Sequence, residues 1–175
     1  GRPLLMPNPW DIGSARALAT LGYRALATTS SGFAATLGRL DGTITREQAL
    51  RHAADIAAAT RLPVSADMEN GFADDPEGVA ALVRDAIGVG LAGCSIEDAT
   101  GRSDEPIYEP RPAAERVAAA AEAAHGGAHR LVLTARAENF LHGRHDLADT
   151  IARLQSFQVA GADVLYAPGL TRADD

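Results

Sequence analysis

Two carboxylates in Val64-Ser65-Ala66-Asp67-Met68-Glu69-Asn70-Gly71-Phe72 pose the first chemical question. The stretch begins as an apolar strand after Pro63 and ends in Asp67 and Glu69, just before Asn-Gly. In extended backbone, residues i and i+2 point to the same side, so the two acids are expected to converge just past the strand's carboxyl end. Anions held that close need a cation, a shared proton or ample water. A hard divalent ion with oxygen ligands, Mg²⁺ by default, is one answer; an acidic strand end turning into solvent is the other. The remaining strand ends bear on the choice, because they carry Asn8, Ser30, Glu97, Asp98, Arg136 and Glu138.

Those residues need elements to hold them. Leu4-Leu5-Met6 reads as a first strand, stopped by Pro7-Asn8-Pro9. Asp11 caps a helix to about Leu21, and Ala25 to Thr28 is a second strand, followed by a polar loop from Thr29 to Phe33. Thr45-Arg46-Glu47-Gln48 matches a capping box and opens a helix to about Thr60. After the third strand at Val64, Asp75-Pro76 starts a helix to Val89. Gly93 to Ile96 is the fourth strand, and Pro112 starts a helix to about His125. Leu131 to Ala135 is the fifth strand, Asp146 opens a helix to Ala160, and Val164 to Tyr166 is the sixth strand. Gly22, Gly90 and Gly161 each end a helix shortly before an apolar strand.

Strand and helix thus alternate with short returns, which predicts parallel strands with helices packed outside. Two architectures remain, an open doubly wound sheet and a (β/α)₈ barrel. No G-x-G-x-x-G follows the first strand, which removes the main support for a dinucleotide-binding sheet. A barrel gathers all its strand ends into one site at the carboxyl face. The expectation is an α/β fold, a (β/α)₈ TIM-type barrel of which six β/α units are present, with residues 1–175 forming a single domain. A full barrel takes about 250 residues, so the domain is expected to be incomplete at its C-terminal end.

Composition narrows the function classes. The net charge is −7, which argues against a nonspecific nucleic-acid binder, since that needs a basic surface. No apolar run approaches the roughly 20 residues of a membrane span. No signal peptide is visible, and the start at Gly1-Arg2-Pro3 without an initiator Met suggests trimming. The sole cysteine, Cys94, leaves no intrachain disulfide and favours the cytoplasm; within Gly93-Cys94-Ser95-Ile96 it reads as a buried, inert thiol.

The ordered set of pieces resembles the isocitrate lyase/phosphoenolpyruvate mutase superfamily. The pieces are Pro7-Asn8-Pro9-Trp10-Asp11, Ser30-Ser31-Gly32-Phe33, Ala66-Asp67-Met68-Glu69-Asn70-Gly71-Phe72, Ile96-Glu97-Asp98, Ala135-Arg136-Ala137-Glu138 and Ala160-Gly161-Ala162-Asp163. The resemblance implies a barrel that binds Mg²⁺ and a small 2-oxo acid or dicarboxylate. It implies Asp41, Asp67, Glu69 and Glu97 as metal ligands, with Glu69 standing where the family usually has Asp. It implies backbone amides of Ser31, Gly32 and Phe33 as an anion nest and Arg136 as the partner of a substrate carboxylate. Asp67, Glu97 and Arg136 are then the candidate catalytic residues. The resemblance further implies a homo-oligomer, dimer or tetramer, for the full-length protein.

The departures bear on the reaction. Family lyases carry a mobile loop with a K-x-C-G-type motif after strand four. Here Thr100-Gly101-Arg102-Ser103-Asp104-Glu105-Pro106-Ile107-Tyr108 has neither Cys nor Lys, and it lacks the Asn-bearing loop of the mutases. Ala167-Pro168-Gly169 replaces a Glu often found after strand six. Two functions follow as alternatives. One is a Mg²⁺-dependent lyase or mutase-like enzyme working through an enolate-type intermediate. The other is a 2-oxo-acid-binding protein that keeps the metal and ligand site without efficient chemistry. Asp98 reads as a supporting acid or a cap, and His142 and His145 as residues of a solvated loop.

Overall fold

The computed structural model describes residues 3–172. It contains five strands, β1 (Leu26–Ala27), β2 (Val64–Asp67), β3 (Gly93–Glu97), β4 (Val132–Arg136) and β5 (Val164–Tyr166). Six helices accompany them: α1 (Ile12–Thr20), α2 (Ser30–Thr36), α3 (Arg46–Ala59), α4 (Pro76–Gly88), α5 (Pro110–His125) and α6 (Leu147–Val159). The strands pair in chain order, all parallel, and the sheet curls into a half-barrel with helices on its convex side.

Local chemistry sets most boundaries. Thr45 and Gln48 cap α3 reciprocally: the Gln48 amide donates to Thr45 Oγ1 (3.3 Å), and the Thr45 amide to Gln48 Oε1 (3.0 Å). At α4 the Gly78 amide donates to Asp75 Oδ1 (2.9 Å), and Pro76 occupies a first-turn position whose amide would be unpaired anyway. Alternation along each strand then sorts the faces. Val64, Ala66, Cys94, Ile96, Leu133 and Ala135 are buried beneath the helices. Their neighbours Asp67, Ser95, Glu97, Thr134 and Arg136 are only partly buried and lie on the concave side. Helices α4 and α5 seal the convex face with Val79, Leu82 and Val83 against the small side chains of Ala113, Val117 and Ala120.

Two expectations fail. Leu4 to Met6 form no strand, so the sheet has five strands rather than six. The flanking prolines lack amides, and the segment makes one backbone bond to β1, from the Ala27 amide to the Pro7 carbonyl (3.1 Å). The loop at Thr29 to Phe33 is helical instead: Thr29 caps α2 by accepting the Gly32 amide. Among the described residues no helix is long and apolar enough to cross a membrane.

Candidate active site

The carboxyl ends of β2, β3 and β4 meet at a cavity of about 580 Å³. The parallel register places Glu97 opposite Arg136. Strand alternation puts both, with Asp67, on the concave face. Arg136 is the hub. Its guanidinium lies 2.8 Å from Glu138 Oε1, 3.3 Å from Asp67 Oδ1 and 3.5 Å from Glu97 Oε2. Burial would lower its pKa, but the three acids outweigh burial and raise it, so the cation is secure.

Asp67 is saturated with donors. Its Oδ2 accepts the Ser30 amide (3.1 Å) and hydroxyl (2.9 Å), while Oδ1 accepts the Ser95 hydroxyl (3.3 Å) as well as Arg136. Glu69 is the opposite case. The expectation that it would follow Asp67 by strand alternation is corrected, because β2 ends at Asp67 and Glu69 takes the left-handed conformation (φ 46°). The turn brings it to the cavity, where its Oε1 is buried with no hydrogen-bond partner. Burial, then the charges of Asp67 and Asp41, push its carboxyl up to about 7. Burial and Glu138 push Glu97 up to about 8 against the opposing pull of Arg136.

The other candidates divide. Asp41 lines the cavity but is exposed, and its Oδ1 accepts the Gly42 amide (3.0 Å). The proposed nest of Ser31, Gly32 and Phe33 is largely spent: the Gly32 and Phe33 amides donate to Thr29, the cap of α2. Asp98 is buried; it accepts the Glu138 amide (2.8 Å) and pairs with Arg153 (3.1 Å). His142 is exposed, in keeping with a solvated loop, yet lines the cavity. Cys94 is sealed, and burial pushes its thiol up to about 12.

Sequence reasoning counted Glu138 among the strand-end residues but gave it no role, and it did not place Arg116 or Arg153 near the site. Glu138 is buried against Arg136, and its i+2 spacing from that residue was the available signal. Arg116 and Arg153, also buried, stand behind the site loops. Arg116 shares a helical stripe with Ala113, Val117, Ala120 and Ala124, which was the cue that it faces inward.

Hard oxygen donors dominate the cavity, as Mg²⁺ prefers. Among the described residues, no three His, Cys, Asp or Glu side chains stand close enough to grip an ion by themselves. Mg²⁺ does not require such a cage, since it commonly keeps several waters beside one or two carboxylates. The partnerless Glu69 oxygen, with the charges of Asp67 and Asp41 acting on it, fits that cation.

The sequence matches the phosphoenolpyruvate phosphomutase family over residues 1–175. The chain belongs to the isocitrate lyase/phosphoenolpyruvate mutase superfamily of lyases and mutases. A solved structure from Burkholderia cenocepacia J2315, described provisionally as a lyase/mutase, is 56% identical with a TM-score of 0.96, covering 99% of this chain and 63% of that one. An uncharacterized protein of Mycobacterium tuberculosis (strain ATCC 25618 / H37Rv) is 32% identical over 173 residues, 96% of this chain and 62% of its own length. The 2-methylisocitrate lyase of Escherichia coli (strain K12) is 30% identical over 158 residues, 86% of this chain and 52% of its own length. The chain therefore spans between half and two thirds of these relatives.

Proposed function

We propose that this chain carries the metal- and acid-binding part of a Mg²⁺-dependent lyase or mutase-like enzyme. Its substrate is a small 2-oxo or 2-hydroxy (di)carboxylic acid, which passes through an enolate-type intermediate. The observation that carries the reading is Arg136, held among Asp67, Glu97 and Glu138 beside the partnerless Glu69 oxygen. Asp41, Asp67, Glu69 and Glu97 are the residues that would hold Mg²⁺. When bound, the ion supplies Lewis acidity at a carbonyl oxygen and offsets the charge of an enolate.

The chain's own groups do the rest. Arg136 presents a planar fork suited to a carboxylate, and its carboxylate neighbours fix the direction of that fork. Ile44, Phe72 and Leu141 form an apolar side of the cavity that takes a hydrocarbon portion and strengthens charge interactions by excluding water. No lysine occurs in these 175 residues, so none of them forms an imine with an oxo acid. Proton transfer falls to the carboxyls of Glu69, Glu97 and Glu138, to the His142 imidazole, or to water.

The E. coli relative's name, 2-methylisocitrate lyase, supports this substrate class. The wider proposal is a closed (β/α)₈ barrel in a cytoplasmic homo-oligomer. The uncovered side chains of Val132, Val164, Leu165 and Tyr166 at one side of the half-barrel support closure. Light scattering on the full-length protein tests assembly; a monomer counts against it.

The functional test is calorimetry with oxalate, a planar mimic of an oxo-acid enolate, with and without Mg²⁺. A panel of oxo and hydroxy acids is then assayed for turnover. Metal-dependent binding with EDTA-sensitive turnover is expected, and no metal-dependent binding would overturn the proposal. The missing Cys and Lys in residues 100–108 favour the second reading, a binding protein, which predicts binding without consumption.

A further inference from the structure

Arg116 is a buried cation with an unusual set of partners. It is 2% exposed in the middle of α5, among alanines and a valine. Among the described residues no carboxylate reaches ion-pair distance of it. Its Nη1 donates to the carbonyls of Ala73 and Asp74 (2.6 Å to the latter), and its Nη2 donates to the carbonyl of Asn70. The Tyr108 ring lies 4.2 Å below the guanidinium. Burying a charge against carbonyls and a ring alone is costly, and an apolar side chain would fill the same stripe without that cost.

All three carbonyls belong to the turn that follows β2. That turn is strained: Glu69 and Phe72 both hold positive φ, 46° and 52°, a conformation that non-glycine residues adopt reluctantly. Glu69, Asn70 and Phe72 from the same turn line the site cavity. Arg116 therefore grips, from behind, the segment whose front forms a wall of the site.

Tyr108 extends the grip to the neighbouring loop. Its hydroxyl donates to Asp74 Oδ1, and its amide donates to the Asp98 carbonyl (2.8 Å). Its own carbonyl accepts Arg153 Nη1 (2.7 Å). The chain closing the loop after β3 is thus held between two buried arginines.

We propose that Arg116 is a positioning residue: it holds the 69–74 turn in the conformation that places Glu69 and Phe72 on the cavity, and Tyr108 couples that turn to the loop after β3. The effect on ligand binding rests on the functional reading above; the positional role does not.

Hydrogen exchange on the metal-free protein tests the positional role directly. The informative amides are Gly71, bonded to the Met68 carbonyl, and Phe72, bonded to Asn70 Oδ1. In Arg116→Met they are expected to exchange at least about tenfold faster, with the β4 amides unchanged. Arg116→Lys keeps the charge but offers a single ammonium, so partial protection is expected. Tyr108→Phe should speed exchange a few-fold at both Phe72 and Thr100. Should Arg116→Met fail to fold, the other two variants decide. Unchanged exchange at Gly71 and Phe72 in both, or an increase spread equally over β4, would overturn the proposal. Calorimetry with Mg²⁺ and oxalate supplies the second readout: about tenfold weaker binding in Arg116→Met, partly rescued in Arg116→Lys. Wild-type protein that binds neither would overturn the metal reading, while the exchange data would still judge Arg116.

Discussion

Partly buried carboxylates stand at both ends of the sheet, one at the amino end and four at the carboxyl end, and the two ends treat them differently. At the amino end, Asp163 precedes β5 and every oxygen has a donor. Its Oδ1 accepts from Arg130, and its Oδ2 from His125 Nε2 (2.9 Å) and the Leu133 amide (2.9 Å). Burial pushes this carboxyl up, but the Leu133 amide, His125 and Arg130 outweigh burial and hold it below the usual range. At the carboxyl end, Asp67, Glu97 and Glu138 share one guanidinium while a Glu69 oxygen has no partner, and burial drives Glu69 and Glu97 to about 7 and 8. An acid whose lone pairs are matched stabilises the fold. A surplus of acids over donors leaves affinity available for a cation and its ligand.

Substitutions at the two ends should separate affinity from stability. The largest effect is expected for Glu97→Gln: Mg²⁺-dependent oxalate binding should weaken about 100-fold, or about 2.7 kcal/mol, with the fold retained. Wild-type affinity in this variant would break the contrast. At the other end, Asp163→Ala removes the acceptor of the Leu133 amide, His125 and Arg130 and should cost about 2–3 kcal/mol of stability. Denaturant unfolding measures that loss, and calorimetry should show ligand affinity unchanged within about twofold.

Asp67 crosses the division, since it belongs to the site yet is saturated with donors. Relief of like-charge repulsion alone would leave Asp67→Ala as stable as wild type. Because Ser30, Ser95 and Arg136 all lose their acceptor, the expected outcome is about 1–2 kcal/mol of lost stability together with lost metal binding. A variant that melts like wild type but still binds would refute both halves.

The smallest and most discriminating effect is in pH. Glu69 and Glu97 have folded pKa values raised above their ordinary 4.5, so in EDTA their contribution is full below about 4.5 and is lost as pH rises toward 7 and 8. Asp163 is lowered below 3.8, so its contribution is present above that value and lost as pH falls through the folded pKa. Metal-free melting temperature should therefore decline on both sides. Glu97→Gln should flatten the alkaline arm and Asp163→Asn the acid arm. An alkaline arm untouched by Glu97→Gln would show that other groups dominate it.

What could be read from the sequence was what neighbours in the chain decide. The Thr45–Gln48 capping box and Asp75-Pro76 marked α3 and α4 because the groups that satisfy those helix ends lie within one turn. Asp67, Glu97 and Arg136 could be picked because each ends an apolar run, and parallel strands align such ends. Leu4 to Met6 were misread because a strand exists only where a partner offers a ladder, which an apolar run cannot reveal. Glu69 reached the cavity through a turn conformation that strand periodicity does not foresee. Arg116 was hidden by habit, since an arginine in an alanine-rich helix ordinarily marks the wet face.

The sealed thiol of Cys94 has a practical corollary. It sits on β3 between β2 and β4, with no exposed surface. A thiol-reactive dye can reach it only when the middle of the sheet opens, so labelling under native conditions becomes a clock for rare excursions of the whole fold. Any ligand that binds only the closed form should slow that clock by the factor 1 + [ligand]/Kd. The protein thus contains its own reporter for screening oxo acids and metals, with no assay of turnover required.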